Sequence, residues 1–246
     1  MNITQFSSQN SRLYQEDRSF FKKLKKEQLL LGIFDGHGSH WVADYAANHT
    51  PFLFQSIHKE IKKYPESVLK LLYSNLVEKT NDYFSGSTAT IVWIKDNMAH
   101  VGILGDSLVI IKTADGDIWK SPEHNVRTNE SEAIAAIKRG GKISPNGYLF
   151  DKWRIDGPGL QMTRALGDKE LHDVLNREPE IFHIPINENS WLVACTDGLI
   201  DPAHTTDNIP VIIEHINNGA TAEELVLEMA NIQRDDNSTA ILVRFE

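Results

Sequence analysis

Uninterrupted apolar runs alternate along this chain with segments whose apolar residues recur every three or four positions. Leu29–Phe34 (LLLGIF) carries no charge over six residues, as a strand buried on both faces would. Arg18–Phe21 reads as a short strand before it. The intervening FKKLKKEQ holds four lysines and reads as a solvated hairpin tip or as a patch for nucleic acid or membrane. Its shortness and its place between two apolar runs favour the tip. From Trp41 to about Tyr64, Val42, Tyr45, Ala46, Phe52 and Ile57 fall at helical spacing, with Pro51 expected to kink or restart the helix. Pro65 opens a second helix, with Val68, Leu69, Leu72, Leu76 and Val77 on one face.

Ser87–Ile94, Ala99–Leu104 and Leu108–Lys112 are β-branched and apolar and read as strands, and Asp115-Gly116 marks a hairpin into Ile118-Trp119. Between Ser121 and Gly159 the periodicity fails. A short helix, Glu132–Lys138, is followed by Gly140-Gly141, Pro145, Gly147, Gly157, Pro158 and Gly159, which predicts an irregular surface flap at about 131–159. Strands at Glu180–Ile186 and Trp191–Thr196, a helix at Ile209–Ile216 and a capping box, Thr221 to Glu224, opening a helix to about Ile232 come next. Thr239–Phe245 closes the pattern as a strand. Alternating βαβ units are absent from this order, so it predicts an α+β fold of antiparallel sheets packed with antiparallel helices. One domain is expected over residues 1–246.

Composition narrows the function. The net charge of −9 argues against a nucleic-acid partner. A single cysteine, Cys195, excludes an internal disulfide and suits a reducing compartment. The N-terminus has no apolar signal region, and no apolar stretch approaches the ~20 residues of a membrane helix. The expectation is a soluble monomer in the cytoplasm, or in nucleus and cytoplasm.

Carboxylates recur at strand ends. Leu29–Phe34 stops on Asp35-Gly36, WLVACTDG on Asp197-Gly198, and AHVGILGDS on Asp106; Asp235-Asp236-Asn237 precedes the last strand and Glu16-Asp17 the first. Each Asp-Gly alone is a common turn, the aspartate bonding its own backbone and the glycine taking positive φ. Together, if the strands lie in facing sheets, these acids converge and repel unless positive charge lies among them. No basic side chain adjoins Asp35, Asp106 or Asp197 in sequence. Oxygen ligands of this kind suit magnesium or manganese. Zinc is disfavoured, because the ten histidines form no H-E-x-x-H and there is no second cysteine.

These stretches resemble the metal-dependent serine/threonine protein phosphatases of the PPM family (type 2C). In order they are R-L-Y-Q-E-D (Arg12 to Asp17), D-G-H-G (Asp35 to Gly38), G-S-T-A (Gly86 to Ala89), G-D-S (Gly105 to Ser107) and Gly140-Gly141. T-R-A-L-G-D (Thr163 to Asp168), P-E-I (Pro179 to Ile181), T-D-G-L-x-D (Thr196 to Asp201) and D-D-N-S-T (Asp235 to Thr239) follow. The resemblance implies a four-layer αββα sandwich and hydrolysis of phosphoserine and phosphothreonine in protein substrates by a water bridging two Mg2+ or Mn2+ ions. It implies that Asp35 bridges the metals, that Asp197 and Asp236 complete one, and that the Gly36 carbonyl and Glu16 hold the other. Asp17 would orient bound water, Asp106 with Asp197 would form a weaker third site, Arg12 would grip the phosphate and His37 would be the general acid. Arginine's planar fork matches phosphate, and an alkoxide leaving group needs a proton that histidine can supply. For Arg12 a surface salt bridge is the competing reading, and for His37 a structural loop histidine. Glu123 replaces the aspartate of the family's D-H-x-P segment, and no proline follows. The other classes weighed are a catalytically inactive member acting as a binding module, which should lack some ligand, and a metal-dependent phosphodiesterase or nuclease, which should carry a basic channel.

Overall fold

Both faces of the central strands are covered, which is why their sequences run apolar without alternation. The structure, a computed structural model, describes residues 1–25, 27–61, 64–153, 159–200, 208–232 and 234–245. Asp201 and, in the flap, Gly157 and Pro158 lie outside these. In chain order the elements are β1 (Asn2–Ser8), β2 (Arg18–Lys23), β3 (Leu29–Phe34), β4 (Gly36–His37), α1 (Trp41–Glu60), α2 (Pro65–Thr80), β5 (Gly86–Ser87), β6 (Ala89–Lys95), β7 (Met98–Leu104), β8 (Leu108–Lys112) and β9 (Ile118–Lys120). They continue with α3 (Glu130–Lys138), β10 (Lys142–Ile143), β11 (Leu149–Phe150), β12 (Leu166–Gly167), β13 (Glu180–Pro185), β14 (Trp191–Cys195), α4 (Asp197–Ile200), α5 (Ile209–Asn217), α6 (Ala222–Ile232) and β15 (Ser238–Arg244).

Two five-stranded sheets, ordered β1-β15-β14-β8-β9 and β13-β7-β6-β3-β2, pair antiparallel throughout. Period-two alternation splits each strand between two cores. Leu29, Leu31 and Ile33 meet Val109, Ile111, Leu192, Ala194, Ile241 and Val243 between the sheets. Leu30, Phe34, Ile91 and Trp93 pack outward on α1 and α2 through Val42, Phe54, Leu69, Leu72 and Leu76. On the other side Ile110, Val193, Ala240 and Leu242 meet Ile212, Ile216, Leu225, Val226 and Met229 of α5 and α6. The result is the expected αββα sandwich, with each fully buried leucine or isoleucine contributing about 1.5–3 kcal/mol. No helix among the described residues is long and apolar enough to cross a membrane.

Two expectations need correction, and one strand had no assignment from the sequence. Asn2–Ser8 forms that strand, β1, paired with β15 from Asn2↔Arg244 to Ser8↔Ser238. It is an edge strand, so one side of its backbone needs no partner strand and its residues need little apolarity. Pro51 does not restart the first helix, and α1 runs through it. Phe54 and Ile57, beyond the proline, remain seated in the core and hold the axis. The flap is not irregular throughout, since α3 and the β10–β11 hairpin enclose a small core of Ala136, Leu149, Ala165, Leu171, Val174 and Leu175. Four of those six follow residue 159, so no local window could display the pattern.

Thr221 and Glu224 form the predicted capping box, with Thr221 N–H donating to Glu224 Oε2 (2.7 Å) and Glu224 N–H to Thr221 Oγ1 (3.2 Å). Leu192→Ala should cost about 2–5 kcal/mol through the cavity it leaves. Thr221→Ala should cost about 1 kcal/mol. Urea unfolding of both variants beside the wild type measures the contrast.

Candidate active site

Strand register brings the acids to one end of the sandwich. Phe34 at the end of β3 pairs with Arg18 at the start of β2, Cys195 at the end of β14 pairs with Leu108 and Ala240, and Ala89 pairs with Leu104. Asp17, Asp35, Asp106, Asp197 and Asp236 are the residues just beyond those ends. Two glycines serve close approach rather than a positive-φ turn. A Cβ on Gly36 would lie 2.6 Å from the Glu16 carbonyl oxygen, and one on Gly198 would lie 2.0 Å from that of Asn237.

The acids perturb one another strongly. Burial, then the charges of Asp17, Asp197, Asp236 and Asp106, holds Asp35 well above the usual carboxylate range. Burial likewise pushes Asp17, Asp106 and Asp197 up to about 7, with further contributions from Asp236 on Asp17 and Asp197, and from Asp197 on Asp106. Neutral donors steady them. Thr239 and Thr196 hydroxyls donate to Asp17 Oδ2 at 2.7 and 3.1 Å, and Asn125 Nδ2 donates to Asp106 Oδ2 at 2.8 Å. Asp236 accepts from Arg12 Nη2 (2.7 Å) and from the Asn237 N–H (2.8 Å), and Arg12 Nε donates to the Asp235 carbonyl (2.8 Å). Arg12 is thus joined to the cluster by the salt bridge that its competing reading describes, with its side chain still 47% exposed. Glu16 is anchored through its N–H to Asn237 Oδ1 (2.8 Å), and its charge reaches His37.

Asp17 Oδ1 and Asp106 Oδ1 are buried without a hydrogen-bond partner. Orphaned hard oxygens among mutually repelling acids are a donor set for magnesium or manganese, not for a thiophilic metal. The tightest trio of potential ligands among the described residues is a different one, His124, Glu132 and Glu180, whose ligand atoms lie within 4.8 Å of one another. Arg164 pairs there with Glu132 and, at 3.0 Å, with Glu180, so both carboxylates already have a cationic partner. Glu123, the departure from the family pattern, accepts from Lys120 Nζ and Thr128 Oγ1, both at 2.8 Å.

His37 lies on β4 beside the cluster. Its Nε2 is 2.8 and 2.9 Å from the two Asp168 carboxylate oxygens, while Nδ1 has no partner. Burial, the largest single influence, lowers the imidazole pKa, but Asp168, through charge and hydrogen bond, with Asp106 and Glu16, raises it overall. Sequence reasoning assigned no role to Asp168, Asn125, Thr196, Thr239 or Asn237. All but Asn125 stand inside the quoted stretches, so the signal was their membership of a motif; in the bonds to His37, Asp17 and Glu16 given above, their partners are 131 or more residues away.

The protein phosphatase 2C family model matches residues 3–238, and the chain belongs to that family. The "Probable protein phosphatase 2C 52" of Oryza sativa subsp. japonica is 30% identical over 234 residues, covering 90% of this chain and 45% of that protein. The first curated relatives are longer, the chain spanning 34% to 62% of their lengths. The serine-threonine phosphatase 2C from Toxoplasma gondii superposes with a TM-score of 0.79 at 21% identity over 99% of this chain and 94% of that one. The catalytic domain of the phosphatase PstP, solved with 2 manganese ions, gives 0.62 at 18% over 98% and 96%.

An acid whose folded pKa lies above its unfolded value stabilises the fold at low pH, and that contribution is lost as pH rises through the folded value. For Asp17, Asp106 and Asp197 the window runs from the ordinary 3.8 to about 7. The metal-free protein should therefore melt at a lower temperature near pH 8 than near pH 5.5, and manganese should raise the melting temperature more at the higher pH. Asp35→Asn should raise the metal-free melting temperature near pH 8 and blunt the response to manganese. Thermal melts in chelator and in manganese check both expectations.

Proposed function

We propose that this chain is a magnesium- or manganese-dependent phosphatase that hydrolyses phosphoserine and phosphothreonine monoesters in proteins. The observation that carries the reading is the convergence of Asp17, Asp35, Asp106, Asp197 and Asp236 at one end of the sandwich, where burial and then the charges of their neighbours raise the pKa values of Asp17, Asp35, Asp106 and Asp197. Family membership supports it, and so does the manganese in a structural neighbour. Asp35, Asp197 and Asp236 with Glu16 and the Gly36 carbonyl would hold two dications, Asp106 with Asp197 a third, and Asp17 would orient coordinated water. When bound, such ions offset phosphoryl charge and acidify a water.

The chain's own residues do the remainder. Arg12 holds Asp236 through one nitrogen and keeps further N–H groups for a phosphoryl oxygen at a half-exposed position, where a protein substrate can reach it. His37, about a fifth exposed beside the acids, would hand a proton to the departing serine or threonine oxygen. An inactive binding module has no need to retain every one of these acids beside an arginine and a histidine.

The test is hydrolysis of a phosphothreonine peptide and of p-nitrophenyl phosphate with and without added manganese or magnesium. Activity should require the metal, and Asp35→Ala or Asp197→Ala should abolish it. His37→Ala should lower turnover of the peptide about 100-fold or more while largely sparing p-nitrophenyl phosphate, whose leaving group needs no proton. Metal-independent turnover, or full activity of Asp35→Ala, would refute the proposal.

A further inference from the structure

The outward face of α1 carries rings where a surface helix ordinarily carries charge. Trp41, Tyr45, His49 and Phe52 fall within an arc of about 80° around the helix axis. Trp41 is 60% and Phe52 69% exposed, His49 is exposed, and Tyr45 is half-buried against the core beneath. Neighbouring rings touch: His40 meets Trp41 at 4.7 Å between centroids, and Tyr45 stacks on His49 at 4.0 Å. His49 Nδ1 lies 2.8 Å from the Tyr45 carbonyl, which keeps that ring in the file. Trp41, His49 and Phe52 contribute little to the core, and exposed apolar surface of this kind marks a contact face.

The file begins beside the acids and ends on cations. α1 starts four residues after His37. Asp44 pairs with both Arg18 and His40, which ties the head of the helix to the residue next to Asp17. From that tie β2 and α1 run side by side, and Lys22 Nζ reaches 5.6 Å from the centroid of the Phe52 ring. Lys59, two turns beyond Phe52, returns to the same face and is exposed. Lys22 belongs to the lysine-rich FKKLKKEQ stretch, to which the proposed chemistry gives no task. From Trp41 to Phe52 the helix rises about 16 Å, a distance that an extended chain covers in about five residues.

We infer that this face docks the phosphoprotein substrate: an extended segment beside the phosphorylated residue lays apolar side chains on Trp41 and Phe52 and an acidic side chain between Lys22 and Lys59. The inference rests on the reading of the chain as a protein phosphatase and names what that site selects. Charge complementarity favours the acid, because a chain of net charge −9 repels it elsewhere and these lysines attract it here. The make-up of the face favours one polypeptide over a membrane. Exposed Asn48, Gln55 and Ser56 lie among and beside the rings, whereas a helix lying in a bilayer interface presents a continuous apolar face.

The test uses the full chain with manganese. A short phosphothreonine peptide is compared with versions extended, on one side or the other, by about ten residues that carry leucines and end in glutamates. One extension should lower KM about 10-fold. Trp41→Ala and Phe52→Ala should each raise the KM of that extended peptide about 3–10-fold, and Lys22→Glu should do the same and flatten its dependence on salt. Turnover of the short peptide and of p-nitrophenyl phosphate should change less than about twofold in all three, which also shows that they fold. If the wild type hydrolyses p-nitrophenyl phosphate but gains from neither extension, or if the variants leave the gain intact, the inference is overturned and the phosphatase reading stands. If the wild type hydrolyses neither p-nitrophenyl phosphate nor the short peptide, the phosphatase reading fails and the inference falls with it. Binding to phosphatidylserine vesicles that Trp41→Ala abolishes, with no effect on the extended peptide, assigns the face to a membrane and overturns the inference as well.

Discussion

Like charge gathered in a dry place governs this molecule. Two carboxylates about 4 Å apart near a protein surface repel by about 4 kcal/mol, and five converge here. The chain answers in three ways. Burial and neighbouring charge raise the pKa values of Asp17, Asp35, Asp106 and Asp197, which favours their neutral forms. Neutral donors, the Thr196 and Thr239 hydroxyls and the Asn125 amide, satisfy single oxygens without adding charge. Arg12 contributes one cation, bonded to Asp236. What remains uncompensated is the affinity for a dication, so the destabilising feature and the proposed chemistry have one origin.

Only a rigid frame can hold such an arrangement. The sandwich places three apolar clusters between four layers, and each central strand is committed to two of them at once. A one-residue slip would exchange the faces of every side chain in a strand, so register is strongly enforced. The strand ends are therefore fixed in relation to one another, and the acids cannot relax by sliding apart. Close contacts at Gly36 and Gly198 extend that fixity into the loops, seating the backbone around Glu16 and Asn237 against the two Asp-Gly corners.

The small sheet of β4, β5 and β12 applies the same logic to His37. It is two residues deep, too short to contribute much stability, and each of its strands adjoins or belongs to a quoted motif. Its effect is alignment: D-G-H-G, G-S-T-A and T-R-A-L-G-D become neighbours, with a glycine in the middle row. Thr88 ties the same region to β3, donating to nothing on the helices but accepting from Asp35 N–H and pairing with the Ser107 hydroxyl.

Much of this was legible in the linear chain. β3 has the bounds its apolar run implied, α2 begins at Pro65, and the Thr221–Glu224 box caps α6. These are local facts, set by periodicity, proline's fixed φ and side chains three residues apart. The acids could be picked out because carboxylates ending apolar runs contradict their surroundings. β1 was not legible, since an edge strand needs little apolarity, nor was the flap's small core, built from residues on either side of position 159. The contact between His37 and Asp168 was least legible of all, because 131 residues separate the partners and the residue that permits it, Gly86, acts by having no side chain. Sequence alone determined most of the long strands and helices and which acids are out of place. Tertiary structure alone decided which carboxylate oxygens stay unpaired and which nitrogen of His37 is held, because those depend on distances that arise only when remote strands pair.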